Sequence, residues 1–353
     1  MKRQVFGSIS AQHDNLGDIA IRRVFFESHI EAGHSLVLLS HRMPQAYIDL
    51  FHFSDGVTLV RSPLLFQVRL LVAALQRRAN LVYAPGPHNM ADSVRGIAKT
   101  LLMVGNVAMI RVSGGKVTTA GRALRGAGSI AKALERLIIS MSSVYAVRDS
   151  VSGDNVGANL ATVPDIALGV TVGPNAGSRN TIAFSFRNDI AVSQAVVRKL
   201  AEAFQSEGFK VTLVSQVRRD DKQHAALAEE LNLEAVLWGD LSHEEQQSRV
   251  EDVYRSARAV MSNRLHGLIF GITAGAIPIE FRAGKSDKIS TTLGPWFGNY
   301  PSICNDDPVD EIDVDAVVAA VQHGIEEFDQ KREMARTKVR ETLEAVTRAA
   351  TSD

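Results

Sequence analysis

The chain has 353 residues, 45% of them hydrophobic and 22% charged, with 39 Lys and Arg balanced by 39 Asp and Glu. So much apolar content at no net charge excludes disorder for most of the chain, and the missing basic excess argues against a nucleic-acid partner. At about 100–200 residues per domain, the length predicts two domains.

Short apolar runs alternate with helical patterns from end to end, the signature of parallel α/β units. In the first half, strands are predicted at 5–8, 35–39, 81–84, 108–112, 144–147 and 161–163, with helices at 19–32, 64–78 and 129–142 between them. In the second half, strands are predicted at 181–186, 210–215, 234–238, 259–261 and 277–281, and helices at 191–207, 221–231, 243–255 and 264–274. Residues 171–180 carry glycines and a proline unsuited to a helix or central strand, and mark a hinge. A charged helical segment from about 313 to 348 closes the chain and could cross back over the first domain.

The predicted architecture is therefore α/β, with two Rossmann-like domains facing a cleft. Residues 1–170 form the first domain, 171–180 the hinge, 181–325 the second domain and 326–353 a C-terminal helix and tail. Ligands of such open sheets bind outside the carboxyl ends of the strands.

The longest apolar stretches, 64–75 and 101–110, are shorter than the roughly 20 residues needed to cross a bilayer. Behind the basic N-terminus the apolar stretch is also too short for a signal peptide. A single cysteine, Cys304, excludes an internal disulfide and a multi-thiolate metal site. A cytoplasmic location is expected.

Four segments could carry chemistry. After the first strand, His13-Asp14-Asn15-Leu16-Gly17-Asp18 offers Asn15 and Asp18 as hydroxyl-binding or loop-ordering groups. Asp18 is read as the cap of the helix beginning at Ile19, which is also the purely structural alternative. Its glycine spacing is not that of a nucleotide-binding loop. Pro85-Gly86-Pro87-His88 is read as a rigid loop with His88 at its tip, a candidate acid or base, with Ser113-Gly114-Gly115 as a parallel loop after the next strand. Arg148 leaves a strand end and should project into the cleft, or else pair with Asp149, Asp154 or Asp165.

The strongest segment is Ser262-Asn263-Arg264-Leu265-His266, with Asn263 read as the cap and Arg264 and His266 on the first turn of an apolar helix. A helix N-terminus with an arginine suits a phosphate or carboxylate. His266 would be a general acid for such a substrate. Arg187, at the end of the second domain's first strand, is added on position alone.

In order along the chain, Asn15-Leu16-Gly17-Asp18, Arg148-Asp149 with Ser150 or Ser152, Pro164-Asp165-Ile166-Ala167, Ser262-Asn263-Arg264-Leu265-His266 and Gly275…Pro278 with a downstream lysine resemble the polysaccharide pyruvyl transferase family. The resemblance runs from about residue 5 to 290, and Lys285 or Lys288 fills the lysine position. It implies a fold like the B-type (GT-B) glycosyltransferases. It also implies transfer of the enolpyruvyl group of phosphoenolpyruvate to two hydroxyls of a sugar, giving a pyruvate ketal and phosphate. Arg148, Arg264 and His266 would bind or act on phosphoenolpyruvate, which is a substrate, and no cofactor or metal is expected. The saccharide acceptor would belong to a cell-surface polysaccharide or its precursor. If it is lipid-linked, segment 64–78 could rest on the inner face of the membrane, although an amphipathic helix packed on the sheet is the competing reading. The alternative enzyme is a nucleotide-sugar glycosyltransferase of the same architecture, holding a diphosphate at the helix after Ser262.

Overall fold

The computed structural model describes residues 3–53, 56–173, 177–284 and 288–351. The chain forms two compact units. Unit 1 comprises Met1–His13, Asp18–Ile166 and Thr337–Asp353, and unit 2 comprises Asp14–Gly17 and Ala167–Arg336.

Unit 1 runs through β1 (Gln4–Ser8), α1 (Leu16–Glu31, whose first residues group with unit 2), β2 (Ser35–Leu39), α2 (Gln45–Asp49), β3 (Val57–Val60), α3 (Pro63–Leu75), β4 (Ala79–Tyr83) and β5 (Gly86–Asn89). It continues through α4 (Val94–Val112), β6 (Val117–Arg125), α5 (Ser129–Met141), β7 (Val144–Val147), α6 (Ser150–Val156) and β8 (Ala161–Thr162). The parallel sheet has the order β3-β2-β1-β4-β6-β7-β8, with β5 paired to β6. Val5 and Phe6 of the central β1 are buried, as a strand covered by helices on both faces requires. Phe6, Val37, Leu81 and Val117 of the sheet share one apolar cluster with Phe66 and Leu70 of α3 and with Val107 and Ile110 of α4.

Unit 2 contains β9 (Thr181–Ser185), α7 (Gln194–Ser206), β10 (Lys210–Val214), α8 (Asp221–Leu231), β11 (Glu234–Val236), α9 (His243–Ser256), β12 (Ala257–Ser262), α10 (Leu265–Thr273), β13 (Ile277–Arg282), α11 (Lys288–Phe297), β14 (Ser302–Cys304), α12 (Val314–His323) and the start of α13 (Ile325–Thr351). Its sheet is parallel in the order β11-β10-β9-β12-β13-β14. Around β9 the strand order reverses, so the carboxyl ends of β9 and β12 diverge at the place where open sheets take ligands. Gln194–Ser206 buries Val196, Val197, Leu200, Ala201 and Phe204, the one-sided stripe of an amphipathic helix.

The closing helical segment is two helices, α12 and α13, separated at Gly324. The end of α13 belongs to unit 1, where buried Asn80 holds it. Its Nδ2 donates to the Ala350 carbonyl at 2.6 Å, and its Oδ1 accepts from Lys116 N at 2.8 Å.

Several expectations need correction. Residues 108–112 are the last turn of α4, not a strand, and Ser113-Gly114-Gly115 is the turn that ends it. Ser93 caps this helix by accepting from Gly96 N, and Thr100, Val107 and Ile110 form its buried side. Strand β6 takes the place in the sheet predicted for 108–112. His88 is not at a loop tip, because Gly86–Asn89 forms β5 and pairs with Arg122–Arg125. The first helix begins at Leu16, which puts Asp18 inside its first turn rather than at its cap. β3, β14 and α11 had no counterpart in the predicted elements. Of the hinge at 171–180, residues 174–176 lie outside the described residues.

Candidate functional site

Unit 2 brings three sequence-distant segments to the carboxyl edge of its sheet. The first is Asp14–Gly17. Leu16 N donates to the Gln216 carbonyl and Arg218 N to the Asp14 carbonyl, each at 3.3 Å, forming an antiparallel bridge of Asn15 with Val217. Asn15 Oδ1 accepts from Gly17 N at 3.0 Å, so its side chain orders the start of α1.

The second is the segment after β12. Ser262 Oγ donates to the Ser185 carbonyl at 2.5 Å and accepts from Arg264 N at 2.8 Å, fixing the turn between strand and helix. Arg264, not Asn263, occupies the cap position of α10, and its side chain makes no cap hydrogen bond. The N–H groups of the helix's first turn carry the partial positive charge of the helix terminus. Asn263 instead accepts from Arg187 N at 2.8 Å through Oδ1, tying β12 to the end of β9.

The third is the β10–α8 loop, which supplies Asp220. This fully buried carboxylate is gripped along one edge of the Arg264 guanidinium, by Nε and by Nη2, the latter at 2.6 Å. It also accepts from Asn188 N at 3.1 Å. Such a bidentate pair fixes the plane of the guanidinium. Arg187 forms its own fork with the more exposed Asp189, Nε to Oδ1 at 2.8 Å and Nη2 to Oδ2 at 2.5 Å. Hydrogen bonding from Arg187 holds the Asp189 carboxyl down at about 2.

His266 stands against Gly17. A Cβ at residue 17 would lie 2.3 Å from His266 Nδ1, so only glycine lets the backbone come this close. Behind the edge, buried His224 accepts from Phe186 N through Nε2 at 2.8 Å and meets Ser215 Oγ through Nδ1 at 2.8 Å. Burial pushes its pKa down to about 4, so the ring is neutral at ordinary pH.

Arg148, Asp18 and His88 belong to unit 1. Arg148 is 3% exposed and donates through Nη1 to Asp165 at 2.8 Å, one of the pairings open in the sequence. Its neighbour Asp149 caps α6, accepting from Ser152 N at 3.0 Å and Ser152 Oγ at 2.7 Å, and pairs with Arg125 at 2.6 Å. Ser152 Oγ in turn accepts from Leu124 N at 2.9 Å. In this chain the Arg-Asp-Ser segment thus fastens β6, β7 and α6 together. Asp18 pairs loosely with Arg22 at 3.9 Å. Lys285 lies outside the described residues.

His88 sits in a buried cluster with Glu135, Arg122 and Tyr145. His88 Nε2 is 3.3 Å from Glu135 Oε2, Arg122 Nη1 donates to Glu135 Oε1 at 2.6 Å, and the Tyr145 hydroxyl also donates to Oε1. Burial alone would raise the Glu135 pKa, but Arg122 and the hydrogen bonds from His88 and Tyr145 hold it at about 2. The His88 pKa is lowered, by burial first and by Arg122 second. The cluster is a neutral imidazole beside an ionised carboxylate and a guanidinium.

Sequence reasoning did not find Asp220, Asp189 or Glu135, the carboxylates that position Arg264, Arg187 and His88. A carboxylate directly after a strand at the start of a helix, as in Arg219-Asp220-Asp221, was the available signal for the first. Among the described residues no group of three or more His, Cys, Asp or Glu is placed to hold a metal ion. No described helix is long and apolar enough to cross a membrane.

No family model matches the chain, and no curated protein matches it significantly. Solved structures do. Arabidopsis thaliana UGT89C1 complexed with UDP-L-rhamnose aligns over 100% of both chains with 10% identity and a TM-score of 0.59. A putative UDP-N-acetylglucosamine 2-epimerase from Listeria monocytogenes aligns over 99% of this chain and 95% of its own, with 12% identity and a TM-score of 0.59. Medicago truncatula UGT71G1 complexed with UDP-glucose covers 98% of each chain at 9% identity and a TM-score of 0.54. At such low identity the likeness is one of fold: two Rossmann-like α/β units of the GT-B-like class, as the sequence led us to expect.

Proposed function

We propose that the chain is a transferase that binds a small phosphate-bearing donor at the carboxyl edge of unit 2, on Arg187, Arg264, His266 and the start of α10, and passes part of it to a saccharide. One observation carries this reading: Arg264 is the cap residue of α10 at the place where the sheet order reverses, its own side chain makes no cap hydrogen bond, and buried Asp220 holds its guanidinium in plane. Asp220 takes the Nε and Nη2 edge of the guanidinium, so the outer amino group can serve an anion without breaking the pair. The Arg187–Asp189 fork is partly exposed, and such a pair is worth only about 0–1 kcal/mol, so a phosphate can displace it.

The favoured donor is phosphoenolpyruvate, supported by the ordered motifs shared with polysaccharide pyruvyl transferases. Protonation of its methylene carbon by His266 would make C2 electrophilic. One sugar hydroxyl adds there, the C2–O bond to phosphate breaks, and a second hydroxyl closes the ketal. Of the two hydroxyl protons, one replaces the proton given to the methyl group and the other leaves with phosphate. General acid–base help of this kind is worth about 10²–10⁴ in rate.

A second reading has its own support, and the structural neighbours lean toward it. UGT89C1 and UGT71G1 were solved with UDP-sugars, and a nucleotide diphosphate would use the same helix N-terminus. Thermal unfolding with phosphoenolpyruvate, UDP and UDP-sugars as separate additives decides between them, because a ligand that binds only the native state raises the midpoint. A rise with phosphoenolpyruvate alone, followed by acceptor-dependent phosphate release, supports pyruvyl transfer. A rise with the uridine nucleotides alone supports the second reading. No rise with any of them refutes the donor site.

A further inference from the structure

Helix α3 is apolar nearly all round, yet it buries only one side. Phe66, Leu70, Ala73 and Ala74 enter the core of unit 1. Leu64, Val68, Leu71, Val72 and Leu75, at helical spacing of four, seven, eight and eleven residues, form a stripe on the outer side, with Leu64 75% and Leu75 76% exposed. Scattered exposed leucines need no explanation, but a continuous stripe does.

The neighbouring helix α4 repeats the arrangement. Val94, Leu101, Leu102 and Val112, at offsets of seven, eight and eighteen residues that also return to one helical face, are exposed along its outer side, Val94 at 88% and Val112 at 90%. Both helices bury their inner sides in one cluster against the sheet, so their outer stripes look the same way.

The charge around them is one-sided. Between residues 56 and 134 the sequence has eleven Lys and Arg and a single carboxylate, Asp92, in a chain of no net charge overall. Asp92 is occupied, accepting from Ile130 N and Ala131 N at the start of α5. Arg69, Arg77, Arg95, Lys99 and Arg111 of this region are exposed.

We infer that the outer face of α3 and α4 is a docking surface for an anionic phospholipid bilayer. The leucine and valine stripes would enter the headgroup boundary while the basic residues meet lipid phosphates. Basic charge without acidic counterparts selects an anionic surface over a second copy of the chain, since two copies of this face would set like charges against each other. The inference is independent of which donor unit 2 binds. For an acceptor carried on lipid, it supplies the means of meeting it.

Vesicle co-sedimentation of the full chain tests this, with phosphatidylcholine alone and with added phosphatidylglycerol. Binding is expected only to the phosphatidylglycerol vesicles and should weaken as salt is raised. The variant Leu64→Ser/Leu71→Ser/Leu75→Ser should bind about tenfold or more weakly. Its thermal midpoint should be unchanged, because the replaced side chains are exposed. An Arg69→Glu/Arg77→Glu variant should lose binding while keeping every leucine. The inference is overturned if wild type stays in the supernatant with both vesicles, or if the serine variant binds like wild type. It is equally overturned if light scattering shows a dimer that the serine substitutions convert to monomer, which would make a second copy the occupant.

Discussion

Gly17 and His266, almost 250 residues apart in sequence, touch. The glycine Cα is so close to the imidazole that a methyl group on it would lie 2.3 Å from Nδ1. The glycine of the first motif is thus explained by the histidine of the last, and the ring is held in one orientation from the side of α1.

The first prediction uses that contact. In a helix Ala is favoured over Gly by about 1 kcal/mol, so Gly17→Ala would stabilise if nothing opposed it. Displacing a ring or backbone to relieve such an overlap costs about 1–3 kcal/mol. We expect a lower unfolding midpoint together with a loss of turnover, measured by calorimetry and a donor-turnover assay. A variant as stable as wild type would mean that the ring is elsewhere.

Arg264→Ala should damage stability as well as donor binding. It strands the buried Asp220 carboxylate, which is then left with Asn188 N, and breaking such a pair costs about 3–5 kcal/mol. Arg264→Ala/Asp220→Ala should recover most of the stability and none of the donor-induced thermal shift. If the double variant regains the shift, Arg264 has only a structural role.

Glu135 sets an acid limit on unit 1. Its pKa is lowered from 4.5 to about 2, so the stability it contributes is complete above pH 4.5 and is lost as pH falls through about 2. At ~1.36 kcal/mol per unit, that is about 3 kcal/mol. Denaturant unfolding of wild type and Glu135→Gln should show the gap at neutral pH closing toward pH 2. A gap that is flat with pH would show the carboxylate is not ionised in the native state.

His224 sets a milder limit in unit 2. Nε2 accepts the Phe186 N–H, so its proton resides on Nδ1 and points to Ser215 Oγ. A second proton would face the Phe186 N–H and push the end of β9, where Arg187 begins, out of place. With the pKa lowered from 6.5 to about 4, this contribution is whole above pH 6.5 and disappears as pH drops through about 4. His224→Gln, whose side-chain oxygen can accept the same hydrogen bond, should flatten the decline in stability between those values. Equal slopes for the two proteins would refute it.

Unit 2 was nearly all legible in the sequence, because its strands are apolar runs with clear breaks. Asp221–Leu231 has the predicted boundaries, β10 differs from expectation by one residue at one end, and α10 by one residue at each end. Unit 1 hid β5 and β6 for a physical reason. β5 carries Pro87 and His88, and β6 carries Gly121 and Arg122, so neither has an apolar pattern. Arg122 is tolerated inside only because Glu135 and Tyr145 meet it from elsewhere in the chain. Conversely, residues 108–112 read as a strand because the apolar run before them includes Leu101 and Leu102, which are exposed on α4 where a helix usually carries polar side chains. In the candidate site, Arg264 and His266 could be read from their place before an apolar helix. Their partners Asp220 and Gly17 could not, since only folding brings those segments together.

Asn80, buried in β4, completes its hydrogen bonds only when Ala350 arrives. The N-terminal unit therefore lacks a piece of its own interior until residues 337–351 have been made. Unit 2 leaves the exit tunnel with all but Asp14–Gly17 of its sequence contiguous, so the later-made half can mature first. A nascent chain stalled before Thr337 would expose the surface that Val339, Leu343 and Val346 cover, leaving the half that begins synthesis as the one more dependent on chaperones.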